Sequence, residues 1–270
     1  MTSGGASRRS LPVGLWEEMT WTDVREAAAA NVPVVLAVAS TEQHGPHLPL
    51  ATDCMLPVGV ALEACRRVPL VVAPPIRFGA RSRALSGGGE TFPGNISIRV
   101  STLITLLHEV LEAIRRSGFR QICVQNWHYE NTGALWDACD LASTTYPDLK
   151  MLILENPFPS FSPEELSSLY PHGFPGWDVE HAAIMETSMM MALRPSLVRE
   201  SAIVDDEAAR RPPWDVVPAP AEFIAPSGVL WHATQASLEL GRRFVDAAAG
   251  HLEQALRTEF ALPAGEGQAG

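Results

Sequence analysis

Four short, uniformly apolar runs alternate with longer stretches of helical spacing, and this alternation sets the fold class of the chain. Val34–Ala39, Leu70–Ala73, Ile122–Gln125 and Met151–Leu154 read as strands buried on both faces. Apolar periodicity predicts helices over Thr22–Ala30, Leu56–Arg67, Leu103–Ser117, Ala134–Thr145, Pro163–Leu169, Ala182–Leu193 and Ala233–Thr258. Strands alternating with helices in this way imply an α/β fold, a mainly parallel sheet with helices on both faces.

The 270 residues are long enough for one sizeable core, and we expect a single domain over 1–270. Residues 1–12 and 264–270 are small, polar and glycine-rich, and are expected to be loosely held tails. Arg211–Gly228 carries five of the 22 prolines and reads as a surface excursion without regular structure. A net charge of −11 argues against nucleic acid and anionic membranes as partners, since both need basic faces. No apolar run approaches the roughly 18–20 residues that cross a bilayer. The start MTSGGASRRS does not lead into a signal-peptide core, because Glu17 and Glu18 interrupt the apolar stretch. Cys54, Cys65, Cys123 and Cys139 show no CxxC pairing and read as buried free thiols, which fits the cytoplasm.

The chemistry lies in two strings, TEQHGPHLPLATD (41–53) and NWHYEN (126–131). Glu42 with His44, and His128 with Glu130, stand two residues apart, so in extended chain each pair leaves one face together. The first pair follows the first predicted strand and the second follows the third. Ligands gather outside the carboxyl ends of strands in open α/β sheets. With Asp53 as a bridging carboxylate, these oxygen and nitrogen donors, thiolates absent, suit two divalent cations, zinc or manganese.

A third string, GWDVEHAAIMETS (176–188), offers His181 as a proton shuttle. Asp178 is expected to cap the helix after it, placing His181 in the first turn, where the helix dipole disfavours imidazolium. Glu186 reads as either a buried carboxylate near the site or a solvated helix residue. Met185, Met189, Met190 and Met191 read as core filler. SGGGETFPGN (86–95) lacks the Lys–Ser/Thr of a phosphate loop and reads as a loop beside the site. His47 is expected to support the site, and His108 to lie on a helix surface. His172, His232 and His251 have no ligand partners at close spacing.

Together with SGGG-x-x-FPGN and the late SGVL…A…AS-x-E-x-G pattern at 227–241, these strings resemble the creatininase (creatinine amidohydrolase) family over nearly the whole chain. The resemblance implies a three-layer αβα sandwich, a binuclear zinc or manganese centre and a homohexamer. It implies that Glu42, Asp53 and His128 hold one metal, and His44, Asp53 and Glu130 the other. Ser82, Tyr129, Trp177 and Asp178 would line the substrate pocket, with His181 and Glu130 as catalytic groups and Trp177 as a lid. Creatinine to creatine is the leading reaction it implies. A formamide-bearing pyrimidine, a cyclic polyol ketone, or a non-catalytic scaffold are the alternatives. One departure stands out: ENPFPSF (155–161) lacks a tryptophan that creatinine enzymes carry there, and Phe158 or Phe161 is the available replacement.

Overall fold

Side chains alternate along β2 (Val34–Val38) between two separate hydrophobic clusters: Val34, Leu36 and Val38 join one, and Val35 the other. The period of two that makes a strand two-faced therefore divides the core into two slabs with the sheet between them. The sheet of this computed structural model has five strands in the order β1-β3-β2-β4-β5, every neighbouring pair parallel. They are β1 (Gly14–Leu15), β2, β3 (Val71–Val72), β4 (Gln121–Asn126) and β5 (Lys150–Glu155). The structure describes residues 11–155, 161–170, 173–206 and 214–262. The two expected tails lie largely outside these residues; Phe158, His172 and the start of the proline-rich stretch lie wholly outside them.

One slab packs α1 (Trp21–Ala29), α3 (Val100–Arg116) and α4 (Thr132–Thr145) on the sheet. Leu103, Leu107 and Leu111 of α3, four residues apart, are wholly buried, and each such side chain contributes about 1.5–3 kcal/mol. The other slab holds α2 (Thr52–Cys65), α5 (Pro163–Leu169), α6 (Ile184–Leu193) and α7 (Leu238–Phe260). This is the three-layer α/β arrangement expected from the sequence. Among the described residues no helix is long and apolar enough to cross a membrane.

Several boundaries differ from the sequence expectation, α3 for instance starting at Val100 rather than Leu103, and three helix starts have a local cause. Helix α2 starts at Thr52 rather than Leu56, so Asp53 sits in its first turn. Pro57 is accommodated inside the helix. Helix α7 starts at Leu238, five residues after the expected Ala233, because Ser237 takes the cap position and accepts from Leu240 N–H. Helix α6 starts at Ile184, leaving His181 outside the helix, because Ala182 adopts a left-handed φ of 54°.

Candidate metal centre

β2 and β4 pair in register from Val34–Ile122 to Val38–Asn126, so the chain leaves both strands at one level. The segments that follow carry Glu42 and His44 from β2, and His128 and Glu130 from β4. Asn131 fixes their spacing: its Oδ1 accepts from Ala80 N–H at 2.9 Å and its Nδ2 donates to Ala39 O at 3.2 Å. Gly79 has no room for a side chain there, since a Cβ would lie 2.6 Å from the Ala39 carbonyl oxygen.

The two imidazoles approach one carboxylate from opposite sides. His44 Nε2 lies 3.0 Å from Asp53 Oδ1, and His128 Nδ1 lies 3.5 Å from Asp53 Oδ2. His128 Nδ1 is also 2.8 Å from Glu42 Oε1. Each ring gives its other nitrogen to a backbone carbonyl: His44 Nδ1 to Glu42 O at 3.1 Å, His128 Nε2 to Ala80 O at 2.9 Å. A carbonyl can only accept, so it fixes the proton on that nitrogen and leaves the lone pair of the other facing the cluster. That is how metal-binding histidines are oriented.

The electrostatics are those of a site short of positive charge. Burial pushes the Glu42 carboxyl up to about 8 against the pull of His128, and Asp53 adds to the rise. Burial lowers the pKa of His44 and His128, but Asp53 and Glu42 respectively outweigh it and hold both well above the usual imidazole value. Burial raises Asp53, yet His44 and His128 bring it below the usual carboxylate range. Asp53 Oδ2 and Glu130 Oε2 are buried with no hydrogen-bond partner. The free space between these groups, about 40 Å³, suits ions and a water or two.

Three sets of donor atoms lie within 4.8 Å of one another: Glu42–Asp53–His128, His44–Asp53–Glu186 and Glu42–His44–His181. Glu186 thus enters the site from α6, with Oε2 3.6 Å from His44 Nε2. Glu130 lines the same cavity, with Oε2 3.4 Å from His128 Nε2. Its Oε1 accepts from Ser86 Oγ at 2.5 Å and Arg83 N–H at 3.0 Å.

His181 is buried above His44, with ring centroids 4.5 Å apart. Burial, then the His44 imidazole, pushes its pKa down to about 4, so the ring is neutral. The expected cause of that neutrality, a helix first turn capped by Asp178, is not what the structure contains. Two other carboxylates serve the start of α6: Glu180 Oε1 accepts from Met185 N–H at 2.7 Å, and Glu186 Oε2 from Ala182 N–H at 2.6 Å.

Gln43, which lies between the two residues read as ligands, organises this region. Its Oε1 accepts from Gly45 N–H, and its Nε2 donates to Gly87 O at 3.1 Å and Gly228 O at 2.9 Å. The glycines of 86–95 and 227–228 bring backbone up to this amide; a Cβ at Gly228 would stand 1.9 Å from Gln43 Oε1.

Trp177 lines the cavity, stacks on Phe161 at 6.2 Å and meets Phe174 at 4.4 Å between centroids with the rings tilted by 59°. Tyr129, 42% exposed, stands at the rim. Ser82 donates to Glu42 Oε2 from behind that carboxylate, whereas Ser86, part of the glycine-rich string, reaches the cavity. Asp178 is not among the lining residues. Nothing in spacing singled out Ser86 or Gln43, though both lie inside strings quoted above.

The remaining histidines separate from the site. His47 is buried, with Nε2 2.8 Å from Thr187 Oγ1. His108 is half-buried against Tyr146 rather than on the helix surface. His232 lies 3.5 Å from Asp205, and His251 meets Phe161 edge-on at 4.9 Å. Cys54, Cys123 and Cys139 are buried free thiols, and Cys65 is half-buried and free.

The family model described as Creatininase, creatinine amidohydrolase, matches residues 17–256. Creatinine amidohydrolase of Pseudomonas putida is 35% identical over 250 residues, 90% of this chain and 96% of that protein. Mycofactocin precursor peptide peptidase of Mycobacterium tuberculosis is 31% identical, with 78% of each chain covered. 3-Dehydro-scyllo-inosose hydrolase of Thermotoga maritima is 26% identical over 91% of this chain and 84% of its own. A crystal structure of creatinine amidohydrolase superposes with a TM-score of 0.89 at 32% identity, covering 93% of this chain and 99% of the other. A manganese creatininase superposes at 0.87 and 33%, with 92% and 99% covered.

Proposed function

This chain belongs to the creatininase family, hydrolases of carbon–nitrogen bonds in cyclic amides, and we propose that it opens a small cyclic amide with two divalent cations, zinc or manganese, bound per subunit. The observation that carries the reading is the grip of two imidazoles on opposite oxygens of Asp53, deep in a buried, carboxylate-rich cavity. Glu42, Asp53 and His128 would hold one cation. His44 and Asp53 would hold the other, with Glu186 nearest and Glu130 across the cavity. The donor set fits: it is all carboxylate and imidazole, each ring is fixed by a carbonyl, and two carboxylate oxygens lack partners. When bound, such a pair supplies a water acidic enough to be hydroxide near neutral pH and polarises the amide carbonyl.

The protein's own groups do the rest. Neutral His181 donates Nε2–H to the Gln43 carbonyl and keeps Nδ1 free to accept a proton and return it to the departing nitrogen. Glu130, anchored through Oε1, presents Oε2 to the same space. Trp177, backed by Phe161 and Phe174, offers a flat face for a planar ring, with Tyr129 at the rim. Ser82 and Asp178 belong to this proposal as supports of Glu42 and of the Trp177 loop. Creatinine to creatine is the leading reaction, and assembly as a homohexamer goes with it.

Turnover of creatinine, measured beside other lactams, formamide-bearing pyrimidines and cyclic polyol ketones, tests the substrate. Metal analysis tests the centre: about two equivalents per chain are expected in active protein, and His128→Ala should lower both occupancy and rate. Full activity in metal-free protein would overturn the proposal.

A further inference from the structure

Next to the metal centre, on the outer side of Glu130, lies a second cavity of about 320 Å³ walled by Arg81, Arg83 and Arg99. Only 20 of the 270 residues are basic, and the chain carries a net charge of −11, so three guanidiniums around one cavity are a local reversal of the overall field. Two of the three have no acidic partner: among the described residues Arg81 and Arg99 form no ion pair, and Arg83 meets Asp215 only at 3.8 Å. All three are exposed.

The backbone adds to the same field. Arg99 occupies the cap position of α3, where no side chain caps the helix and no acid stands in the first turn. The positive end of a 17-residue helix therefore points into the arginine wall, and Val100 at its first position lines the cavity. The floor is apolar, from Ala80, Ile98 and Val100. The acidic groups nearby are Asp215, 3.8 Å from Arg83, and Glu130, whose Oε1 accepts from Ser86 Oγ and Arg83 N–H and whose Oε2 lies 3.4 Å from His128 Nε2. Glu130 lines both cavities, so the two adjoin across its side chain.

We infer that the Arg81–Arg83–Arg99 cavity binds an oxyanion, a carboxylate or phosphate group, carried by the substrate whose amide reacts at the adjoining centre. The planar fork of a guanidinium matches such a group with paired hydrogen bonds. The net charge of the chain repels anions at long range, so this cavity is what would select for them. The inference rests on the hydrolase reading for the amide and on the cavity alone for the anion, and it favours an anionic amide over creatinine, which carries neither a carboxylate nor a phosphate.

The test uses metal-loaded wild-type protein and the double variant Arg81→Gln, Arg99→Gln. Calorimetric titration with acetate and with inorganic phosphate reads the site directly, because any binding at the metals is common to both proteins. Wild type should bind one of these anions about tenfold or more tightly than the variant. Acetate as that anion assigns a carboxylate, and phosphate assigns a phosphate ester. For a carboxylate, 5-oxoproline should show a lower KM than its carboxamide in wild type, with that advantage lost in the variant. Equal anion affinities in the two proteins overturn the inference. So does a variant altered in oligomeric state alone. If neither lactam nor any other amide reacts, the hydrolase reading fails while the titration still decides the anion site.

Discussion

His181 Nε2 lies 2.9 Å from the backbone carbonyl oxygen of Gln43, and the surrounding bonds leave only one tautomer. Gly45 N–H points at Gln43 Oε1, which fixes the amide, and both amide hydrogens go to the carbonyls of Gly87 and Gly228. Nothing remains on Gln43 Nε2 to donate to the ring 2.8 Å away, so His181 carries its hydrogen on Nε2 and its lone pair on Nδ1.

A ring that is neutral and orientated in this way acts by moving a proton. His181→Ala should keep both cations and lose about 10²–10⁴ in kcat, the usual worth of a positioned acid–base. Metal analysis beside steady-state kinetics checks it. Loss of metal at the same time would make His181 a ligand, which its closeness to Glu42 and His44 makes the competing reading.

Helix α6, which brings Glu186 to the site, is held against α7 at an unusually close crossing. A Cβ on Gly241 would lie 1.8 Å from the Ser188 carbonyl oxygen, one helical half-turn beyond Glu186. Backbone is the obstacle, so the helices must move apart. Gly241→Ala is expected to destabilise by about 1–3 kcal/mol and to weaken metal retention. Denaturant unfolding reads the first, and dialysis against chelator the second. An unchanged midpoint would mean that the two helices slide without cost.

Glu180 gives a pH signature. Burial, then Glu186, pushes its carboxyl from the ordinary 4.5 up to about 8. The folded state therefore holds a proton that the unfolded state releases. This stabilisation is whole below pH 4.5 and is lost as pH rises toward 8. Glu180→Gln keeps an acceptor for Met185 N–H, 2.7 Å from Oε1, and cannot ionise. Relative to the variant, wild type should lose melting temperature between pH 5 and pH 8. Parallel curves for the two proteins would rule the linkage out.

What could be read from the sequence follows from how local each cause is. His44 and His128 were legible because alternation within a strand and its register with a neighbour carry a side chain to a known edge. Asp53 was legible from its string, although the helix that holds it starts at Thr52, four residues before the expected Leu56. Glu186 stayed ambiguous because Ile184–Met190 of α6 are all buried, polar Thr187 and Ser188 included, so no polar face sets the carboxylate apart. Gln43 was passed over because its role is made by carbonyls at 87 and 228, far away in sequence. The cap assigned to Asp178 failed on the left-handed turn at Ala182, where propensity favours neither that angle nor that residue.

The second cation's carboxylate is the point on which sequence resemblance and geometry differ. Resemblance names Glu130, whereas the donor atoms that close around His44 and Asp53 come from Glu186. Glu130 already spends Oε1 on Ser86 and Arg83 N–H, and its free Oε2 lies nearest His128 Nε2, the nitrogen turned away from the cluster to the Ala80 carbonyl. A carboxylate so placed is better suited to steer water or the leaving group than to fix an ion. Glu186→Ala should therefore bring the metal content down toward one equivalent. Glu130→Gln, which keeps the Oε1 acceptor, should hold close to two while kcat falls. Metal analysis of the two variants purified side by side decides between them, and the reverse pattern, one equivalent in Glu130→Gln and two in Glu186→Ala, would restore Glu130 as the ligand.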